Sequence, residues 1–406
     1  MNNCYQDQML DLEQAQQQIL NAVTAVLERE SVSLSASRDR ILADNIYASV
    51  AVPAHKNSAM DGYAIACSSG LNAGVSFTVV GRSMAGAPYR GAVAPGQAIR
   101  IMTGAVVPEG VDTVVMQEHV DQEDGCVVLQ QPVKPGQNVR HAGEDIEKGA
   151  LVYSAGRKIS ALDLGVLASI GVAELSVYRR LKVAFFCTGD ELKQPGELLA
   201  PGDIFNSNRF MMAGLLEALG MQVVDLGVVP DSRDALEDTL YCAAQQADAI
   251  ISTGGVSVGD ADYVKEVMQK IGDIGFWKVA IKPGKPFAFG RFKHCHFFGL
   301  PGNPVSSAVT FKLLVVSALQ KMSGEASRPL RKLTVLAACD FNKRPGRMDF
   351  QRGKLLPCTD GQTAVTVLVG QGSHQLFSLA KADALVCLPK ESDGVRAGEK
   401  VDIYLL

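Results

Sequence analysis

The feature that most constrains the fold is a regular alternation of strand-like and helix-like stretches between residues 181 and 324. Short apolar runs rich in strand formers alternate with longer stretches whose apolar residues recur every three or four positions. The predicted strands are 181–187, 222–229, 249–252, 287–289 and 295–300. The predicted helices, two of them with an Asn or Ser cap, are 206–220, 232–247, 261–271 and 304–322. This alternation predicts an open, mostly parallel sheet covered by helices on both faces.

Acidic residues, glycines and prolines directly follow the predicted strands. In an open parallel sheet, ligands bind beyond the carboxyl ends of the strands. The segments expected at that rim are 188–192, 230–231, 253–262 and 301–306. The sequence therefore predicts one site built from several loops.

The flanking sequence predicts three further domains, so the fold class expected is a multidomain α/β protein. Residues 11–30 have helical apolar spacing and predict a helix of about five turns, with the helical stretch 160–170 as a plausible partner. Short β-type runs between them predict an inserted β domain, and alternating runs near the end predict a small β barrel or sandwich. The expected boundaries are 1–47 with 150–178 for a discontinuous helical domain, 48–149 for the β domain, 179–326 for the central unit and 327–406 for the C-terminal barrel.

Composition indicates a protein of the cytoplasm. The 406 residues carry a net charge of −4, which indicates no basic surface for nucleic acid. The nine cysteines include no C-x-x-C pair, which is expected of free thiols in a reducing compartment. No apolar run is expected to approach the ~20 residues that span a bilayer, so no membrane partner is expected.

A glycine-rich loop between residues 253 and 263 predicts a phosphate site. Its glycines let backbone N–H groups approach an anion, and the following helix adds its partial positive charge. The alternative is a tight turn in which Asp260 or Asp262 caps the helix. The expected binding residues of this loop are Gly254, Gly255, Ser257 and Gly259.

Two further loops are consistent with an anionic ligand. Asn303 as a cap residue and Pro304 begin the predicted helix 304–322. This pattern alone is weak evidence for a ligand site, but the loop is expected at the same rim as the glycine-rich loop. Lys278, Lys282 and Lys285 cluster around one turn, where they can neutralise a polyanion or simply face solvent.

Three acids, Glu191, Asp231 and Asp262, are expected on neighbouring strand ends. Close to phosphate they fit as ligands of a hard cation such as Mg²⁺, although single surface acids more often form salt bridges. A zinc site at His294-Cys295-His296 is rejected because adjacent strand residues point to opposite faces and no second pair has suitable spacing.

Nine motifs occur in the order found in one known family. The chain resembles the molybdopterin molybdenumtransferase (MoeA) family, which is related to the gephyrin E domain. The motifs are Asn57-Ser-Ala-Met-Asp-Gly-Tyr-Ala64, Ile101-Met-Thr-Gly-Ala105, Gly143-Glu-Asp-Ile146, Thr188-Gly-Asp-Glu-Leu192, Thr253-Gly-Gly-Val-Ser-Val-Gly259, Lys282-Pro-Gly-Lys-Pro286, Leu300-Pro-Gly-Asn-Pro-Val-Ser306, Arg347-Met-Asp-Phe-Gln-Arg-Gly353 and Gly372-Ser-His374. Together they cover nearly the whole chain. His55-Lys56, where many relatives carry an aromatic residue and an acid, puts only local packing in doubt.

The resemblance implies an enzyme that takes molybdate and adenylylated molybdopterin, releases AMP and leaves molybdenum on the dithiolene, with Mg²⁺ as cofactor. It implies catalytic roles for Asp61, Asp145, Glu191, Asp231, Asp262, Lys278 and Lys282, three of which, Glu191, Asp231 and Asp262, would hold the metal. It implies cofactor binding by the glycine-loop residues above and by Thr103, Pro301, Gly302, Pro304, Arg352 and Ser373.

The resemblance also implies protein partners, and two alternative functions remain to be considered. The predicted site residues lie in distant domains, and such residues are easiest to bring together across the subunits of a homodimer. A molybdopterin adenylyltransferase, other proteins of the cofactor pathway or molybdoenzyme acceptors are the expected protein partners. The rival functions are ATP-dependent adenylylation of molybdopterin, disfavoured by the extra domains, and a scaffold or cofactor carrier, disfavoured by the acids and lysines.

Overall fold

The computed structural model of the chain describes residues 9–256, 263–326, 330–358 and 361–406. The central unit contains a six-stranded sheet. In spatial order its strands are Gln222–Val229, Lys182–Thr188, Ala249–Thr253, Cys295–Leu300, Pro286–Phe292 and Asp273–Lys278. The first four are parallel to one another, and the last two are joined by antiparallel pairing. Pro286–Phe292 therefore runs opposite to the first four strands, and Asp273–Lys278 runs parallel to them. The predicted class, a multidomain α/β protein with an open, mostly parallel sheet, is confirmed.

The strand Lys182–Thr188 shows why the sequence of this sheet is apolar without alternation. Val183 and Phe185 pack into one hydrophobic core, and Ala184 and Phe186 pack into a second core on the opposite face. Both faces are covered by helices, so every position needs an apolar side chain. The helices of this unit are Ser207–Ala218, Arg233–Gln246, Tyr263–Ile271, Pro304–Thr310 and Val316–Met322.

One helical stretch corrects the expectation about membrane-spanning length. Pro304–Met322, which contains a π-helical turn at Phe311–Val315, is a helical stretch of 19 residues that is long and apolar enough to cross a membrane by length and composition. However, 72% of its apolar window is buried inside the protein. Within the described residues, the stretch therefore behaves as a core helix.

The first helix is shorter than predicted and packs elsewhere. It runs from Leu12 to Ala22, and the following Arg29–Ser33 is a strand paired with Glu174–Tyr178. The apolar face of the helix joins the core of the central unit, where it contacts Val316–Met322, whereas Leu167 of the helix Ala161–Ser169 belongs to a different core. The expected five-turn helix was wrong because tertiary contacts override local helical spacing beyond Ala22: Val26 N donates to Met322 O, and strand pairing begins at Arg29.

The β domain is a sheet with a hydrophobic core on each face. Its six main strands, in spatial order, are Thr113–Met116, Gly62–Ile65, Gln97–Ile101, Ser76–Ser83, Cys126–Leu129 and Val120–Glu123. Short pairs at Asn57–Ser58 with Val139–Arg140 and at Ile46–Tyr47 with Leu151–Tyr153 connect it to the rest of the chain.

The C-terminal region is a closed five-stranded barrel. Met348–Pro357 pairs with both Thr363–Val367 and Ala384–Leu388, and Lys332–Ala337 and Lys400–Leu405 complete the circle. The short helix Leu376–Ala380 lies between two of these strands in sequence. Sequence analysis missed the long strand Met348–Pro357, since its buried residues include Asp349 and Arg352, which break an apolar pattern.

Candidate active site

The turn that carries Lys282 is joined to the barrel by backbone pairing. Ile281 and Lys282 form a short parallel pair with Met348 and Asp349. This pairing places the Lys282 ammonium 3.2 Å from Asp349 Oδ2. The Lys282 side chain is 57% exposed, whereas that of Asp349 is 5% exposed. A buried carboxylate therefore holds a lysine that still faces solvent.

A cavity of about 320 Å³, the first cavity, lies at this junction between the central unit and the barrel. It collects two of the predicted residues, Lys282 and Ser373, with Ser306, Lys285 and Arg347. Sequence reasoning assigned no role to Arg347 or Ser306, although both lie inside quoted motifs. Lys278 does not line it and ends the edge strand Asp273–Lys278.

The loop after the strand Cys295–Leu300 is fixed by hydrogen bonds on both sides. Ser307 Oγ donates to Pro301 O at 2.5 Å, and Asn208 Nδ2 donates to Gly302 O at 2.6 Å. Val305 N, in the first turn of the helix that begins at Pro304, donates to Ser373 O at 3.1 Å. The loop is therefore attached directly to the barrel segment that lines the first cavity.

Two of the predicted glycines lie side by side at the rim. A Cβ on Gly302 would come within 3.7 Å of Gly254 Cα. Gly254 has a φ of +93°, and a Cβ there would lie 2.7 Å from Thr188 O, so only glycine fits. Gly255 also has a positive φ. Ser257, Gly259 and Asp262 lie outside the described residues.

An acidic group occupies the other side of the rim. Asp231 N donates to Asp190 Oδ1 at 3.3 Å. Burial, followed by the negative charges of Asp190 and Glu191, raises the pKa of Asp231 above its ordinary value. Asp190 is a neighbour that sequence reasoning did not single out. Among the described residues, no set of three His, Cys, Asp or Glu side chains is arranged to hold a metal.

Arg352 lies behind the first cavity and does not line it. Its side chain is fully buried, with Nε donating to Ser378 Oγ at 3.0 Å and Nη2 donating to Gly370 O at 2.5 Å and Gly372 O at 3.1 Å. The guanidinium thus holds the loop that presents Ser373. The predicted direct contact between Arg352 and ligand stays a prediction.

The predicted residues of the β domain lie at its surface, where Thr103 is exposed and Asp61 is partly exposed. Asp61 accepts hydrogen bonds from Thr103 N at 2.7 Å and from Thr103 Oγ1 at 2.8 Å. These bonds, with a smaller effect of Arg100, lower the pKa of Asp61. Asp145 is also exposed. Neither cavity at the barrel junction is lined by these three residues.

Comparison with known proteins identifies the family of the chain. Three family models match in order: the MoeA N-terminal region (domain I and II) at residues 10–171, a probable molybdopterin binding domain at 184–321 and the MoeA C-terminal region (domain IV) at 334–406. The molybdopterin molybdenumtransferase of Haemophilus influenzae is 42% identical over 397 residues, which cover 97% of this chain and 98% of that protein. The chain belongs to the molybdopterin molybdenumtransferase family.

Other relatives of the family agree. The molybdopterin molybdenumtransferase of a Nostoc species is 35% identical over 93% of this chain and 89% of its own length. The crystal structure of the molybdopterin biosynthesis MoeA protein from Pyrococcus horikoshii OT3 superposes with a TM-score of 0.84 at 29% identity, covering 98% of this chain and 100% of that one. The resemblance inferred from the nine motifs is confirmed. The chain is a transferase of molybdenum cofactor biosynthesis.

Proposed function

We propose that this chain transfers molybdenum from molybdate to adenylylated molybdopterin and releases AMP. Water cleaves the phosphoanhydride, so AMP and the molybdopterin phosphate separate. Two Mo–S bonds form on the dithiol, and its two protons leave with one molybdate oxygen as water. The first cavity carries this proposal, because a reaction of two anionic substrates requires a cationic pocket with oxyanion-sized polar contacts.

The lining of the first cavity is suited to a tetrahedral oxyanion. Lys282, Lys285 and Arg347 supply positive charge, and the hydroxyls of Ser306 and Ser373 supply short neutral donors. Asp349 is the lining carboxylate, and it is already engaged by Lys282 and by Gln351 Nε2 at 3.3 Å. The pocket therefore keeps a positive field although one acid lies in its wall.

Mg²⁺ is proposed at the acidic side of the rim. Burial, followed by the negative charges of Asp190 and Glu191, raises the pKa of Asp231, and Asp231 N donates to Asp190 Oδ1 at 3.3 Å. Carboxylate oxygens are the ligands that a hard cation such as Mg²⁺ prefers. Asp231 and Glu191 would hold the ion, together with Asp262. Bound Mg²⁺ would neutralise charge on phosphoryl oxygens.

The metal assignment predicts a changed Mg²⁺ requirement. Glu191→Gln and Asp262→Asn each remove one anionic ligand, so AMP release should need more Mg²⁺ than in the wild type. Glu197→Gln, a change in the same loop region, serves as a control. Full turnover of both site variants at limiting Mg²⁺ would exclude these residues as ligands.

A homodimer is proposed because the β-domain residues face solvent. An exposed apolar group near the start of the helix Ser207–Ala218 offers a surface for a second chain. Its members are Leu198, Leu199, Ile204, Phe205 and Phe210. In such a dimer, Asp61, Thr103 and Asp145 of one subunit would complete the cavity of the other.

Subunit mixing tests this arrangement. At a molybdate concentration that does not saturate Lys282→Met, Asp61→Asn and Lys282→Met should each have little activity alone. A 1:1 mixture should regain about a quarter of wild-type activity, since half of randomly paired dimers are mixed and each mixed dimer carries one intact site of two. Mixing Lys282→Met with Lys285→Met is the control, because both changes damage the same cavity. No recovery in the first mixture would contradict shared sites.

The reaction itself is tested with purified protein, adenylylated molybdopterin and Mg²⁺. We expect AMP release that depends on molybdate and a product that restores a molybdenum-free apoenzyme. Binding without AMP release would favour a carrier, and formation of the adenylate from ATP would favour an adenylyltransferase.

The cellular setting follows from the substrates. A molybdopterin adenylyltransferase would deliver the adenylate, and molybdoenzyme acceptors would take up the product. The described cysteines are all free thiols, and four of them are buried, as expected in the cytoplasm.

A further inference from the structure

A second cavity of about 720 Å³ adjoins the first. The two share Lys282, Arg347 and Asp349 in their walls. The rest of the second cavity is lined by residues 342–345. They belong to loop 342–347, which connects the short strand Phe341–Asn342 to the long barrel strand Met348–Pro357.

Loop 342–347 is held in place by Lys343. Lys343 Nζ donates to the carbonyl oxygens of Pro389 at 2.7 Å, Lys390 at 3.0 Å and Ser392 at 2.8 Å. An ammonium has three donors, so this lysine has none left for a ligand. Gly346 N also donates to Lys390 O at 2.9 Å. Loop 342–347 is therefore fixed to the neighbouring barrel loop at residues 389–392.

The two arginines of loop 342–347, unlike Lys343, have side-chain donors available for a ligand. Arg344 and Arg347 stand on either side of the Pro345-Gly346 turn and line the second cavity. Over the described part of the chain, neither makes a side-chain hydrogen bond or ion pair. A guanidinium stays charged and presents a planar fork that matches an oxyanion. Both donor sets are thus available at a fixed position.

The wall between the cavities is also arranged for anions. Asp349 is the carboxylate lining the second cavity, and Lys282 and Gln351 already bind its Oδ2. Four cationic side chains, Lys282, Lys343, Arg344 and Arg347, line the same space. Their excess positive charge attracts anions and disfavours cations.

We propose that the second cavity is a separate oxyanion subsite, with Arg344 and Arg347 as its ligands. The inference rests on the proposed function, which brings two kinds of oxyanion to this junction: free molybdate and the phosphoryl groups of adenylylated molybdopterin. One would occupy each cavity, and Lys282 and Arg347 at the shared wall would contact both. The second subsite takes either a free tetrahedral oxyanion or a phosphoryl group of the organic substrate.

Arg344→Gln is the decisive variant because Arg344 lines only the second cavity. It is exposed, so the fold should tolerate the change. Arg331→Gln is the matched control, an exposed arginine of the same barrel region that lines neither cavity. Arg347→Gln changes both cavities at once.

The first measurement is equilibrium binding of molybdate and of inorganic phosphate to the full chain at low salt. Loss of one charged hydrogen-bond donor should weaken binding of at least one probe about tenfold in Arg344→Gln and more in Arg347→Gln. Arg331→Gln should bind as the wild type does. Equal affinities for both probes in Arg344→Gln and Arg331→Gln would overturn the proposal.

Steady-state kinetics then identify the occupant. A higher KM for molybdate alone in Arg344→Gln assigns the subsite to the free oxyanion, and a higher KM for adenylylated molybdopterin alone assigns it to a phosphoryl group. Anion binding needs no turnover. Weaker binding in Arg344→Gln with no wild-type AMP release would therefore leave the subsite standing and reject the proposed reaction.

Discussion

The C-terminal barrel and the β domain are both β structures attached to the central unit, but they relate to it differently. Phe350, Leu385 and Cys387 of the barrel belong to the same hydrophobic core as the central sheet. The barrel also has a core of its own. The β domain has a core on each face of its sheet, and neither of these cores includes residues of the central unit. The barrel is therefore joined to the central unit by shared core packing, whereas the β domain packs around its own cores.

The functional residues follow the same division. On the barrel side, Lys282, Arg347 and Ser373 line one cavity within a single chain. On the β-domain side, Thr103 donates two hydrogen bonds to Asp61, and neither residue lines either cavity at the barrel junction. A region that shares a core with the sheet can complete a site in its own chain, and a region with a separate core is free to serve a neighbouring one.

The largest expected difference between the two regions is in core stability. Phe350→Ala should cost about 3–5 kcal/mol, since the ring is buried in the shared core and also lines the first cavity. It should lower the main thermal transition and weaken molybdate binding. Phe77→Ala in the β domain should leave molybdate affinity unchanged. Calorimetry and molybdate binding check both, and equal losses of affinity would remove the distinction.

The next effect concerns the lysine at the barrel junction. Lys282→Met removes a cation from the cavity and leaves the buried Asp349 carboxylate without its ammonium, so molybdate affinity should fall about 10- to 100-fold. Asp61→Asn is the counterpart in the β domain and should reduce turnover without changing the affinity of one chain for molybdate. Equilibrium dialysis separates the two outcomes.

A smaller effect is expected at a buried arginine of the barrel. Arg352→Lys keeps the charge but cannot reproduce the fork to Gly370, Gly372 and Ser378, so stability should fall by about 2 kcal/mol and molybdate affinity with it. Arg100→Lys, which alters an arginine bound to Gly62 O in the β domain, is the matched control. Unchanged molybdate binding in Arg352→Lys would show that the loop does not need this support.

The smallest effect is a shift in pH dependence. The Thr103 backbone, followed by its hydroxyl, lowers the pKa of Asp61, so the ionised form is favoured above the ordinary carboxyl pKa and is lost as pH falls through the lowered value. Thr103→Val removes the hydroxyl bond and raises that pKa. The acid limb of the pH–rate profile should move to higher pH, whereas Thr103→Ser should follow the wild type.

Local sequence patterns predicted the central sheet well and the flanks less well. The strands Gln222–Val229 and Cys295–Leu300 match their predicted bounds because their apolar runs lie between clear turn residues. The long barrel strand was missed, since Asp349, Gln351 and Arg352 are buried there by specific partners and not by an apolar pattern. The first helix was overextended because its end depends on a strand partner more than 140 residues away.

The sequence by itself determined the strand–helix order, the loops expected at the rim and the family. Only the tertiary structure decided which motif residues meet: that Lys282 pairs with Asp349, that Arg352 supports a loop from behind, and that Arg344 and Arg347 line a second cavity. The physical reason is the range of the interactions. Helical spacing, caps and apolar runs act over a few residues, whereas cavities form from side chains that approach only when separate elements pack together.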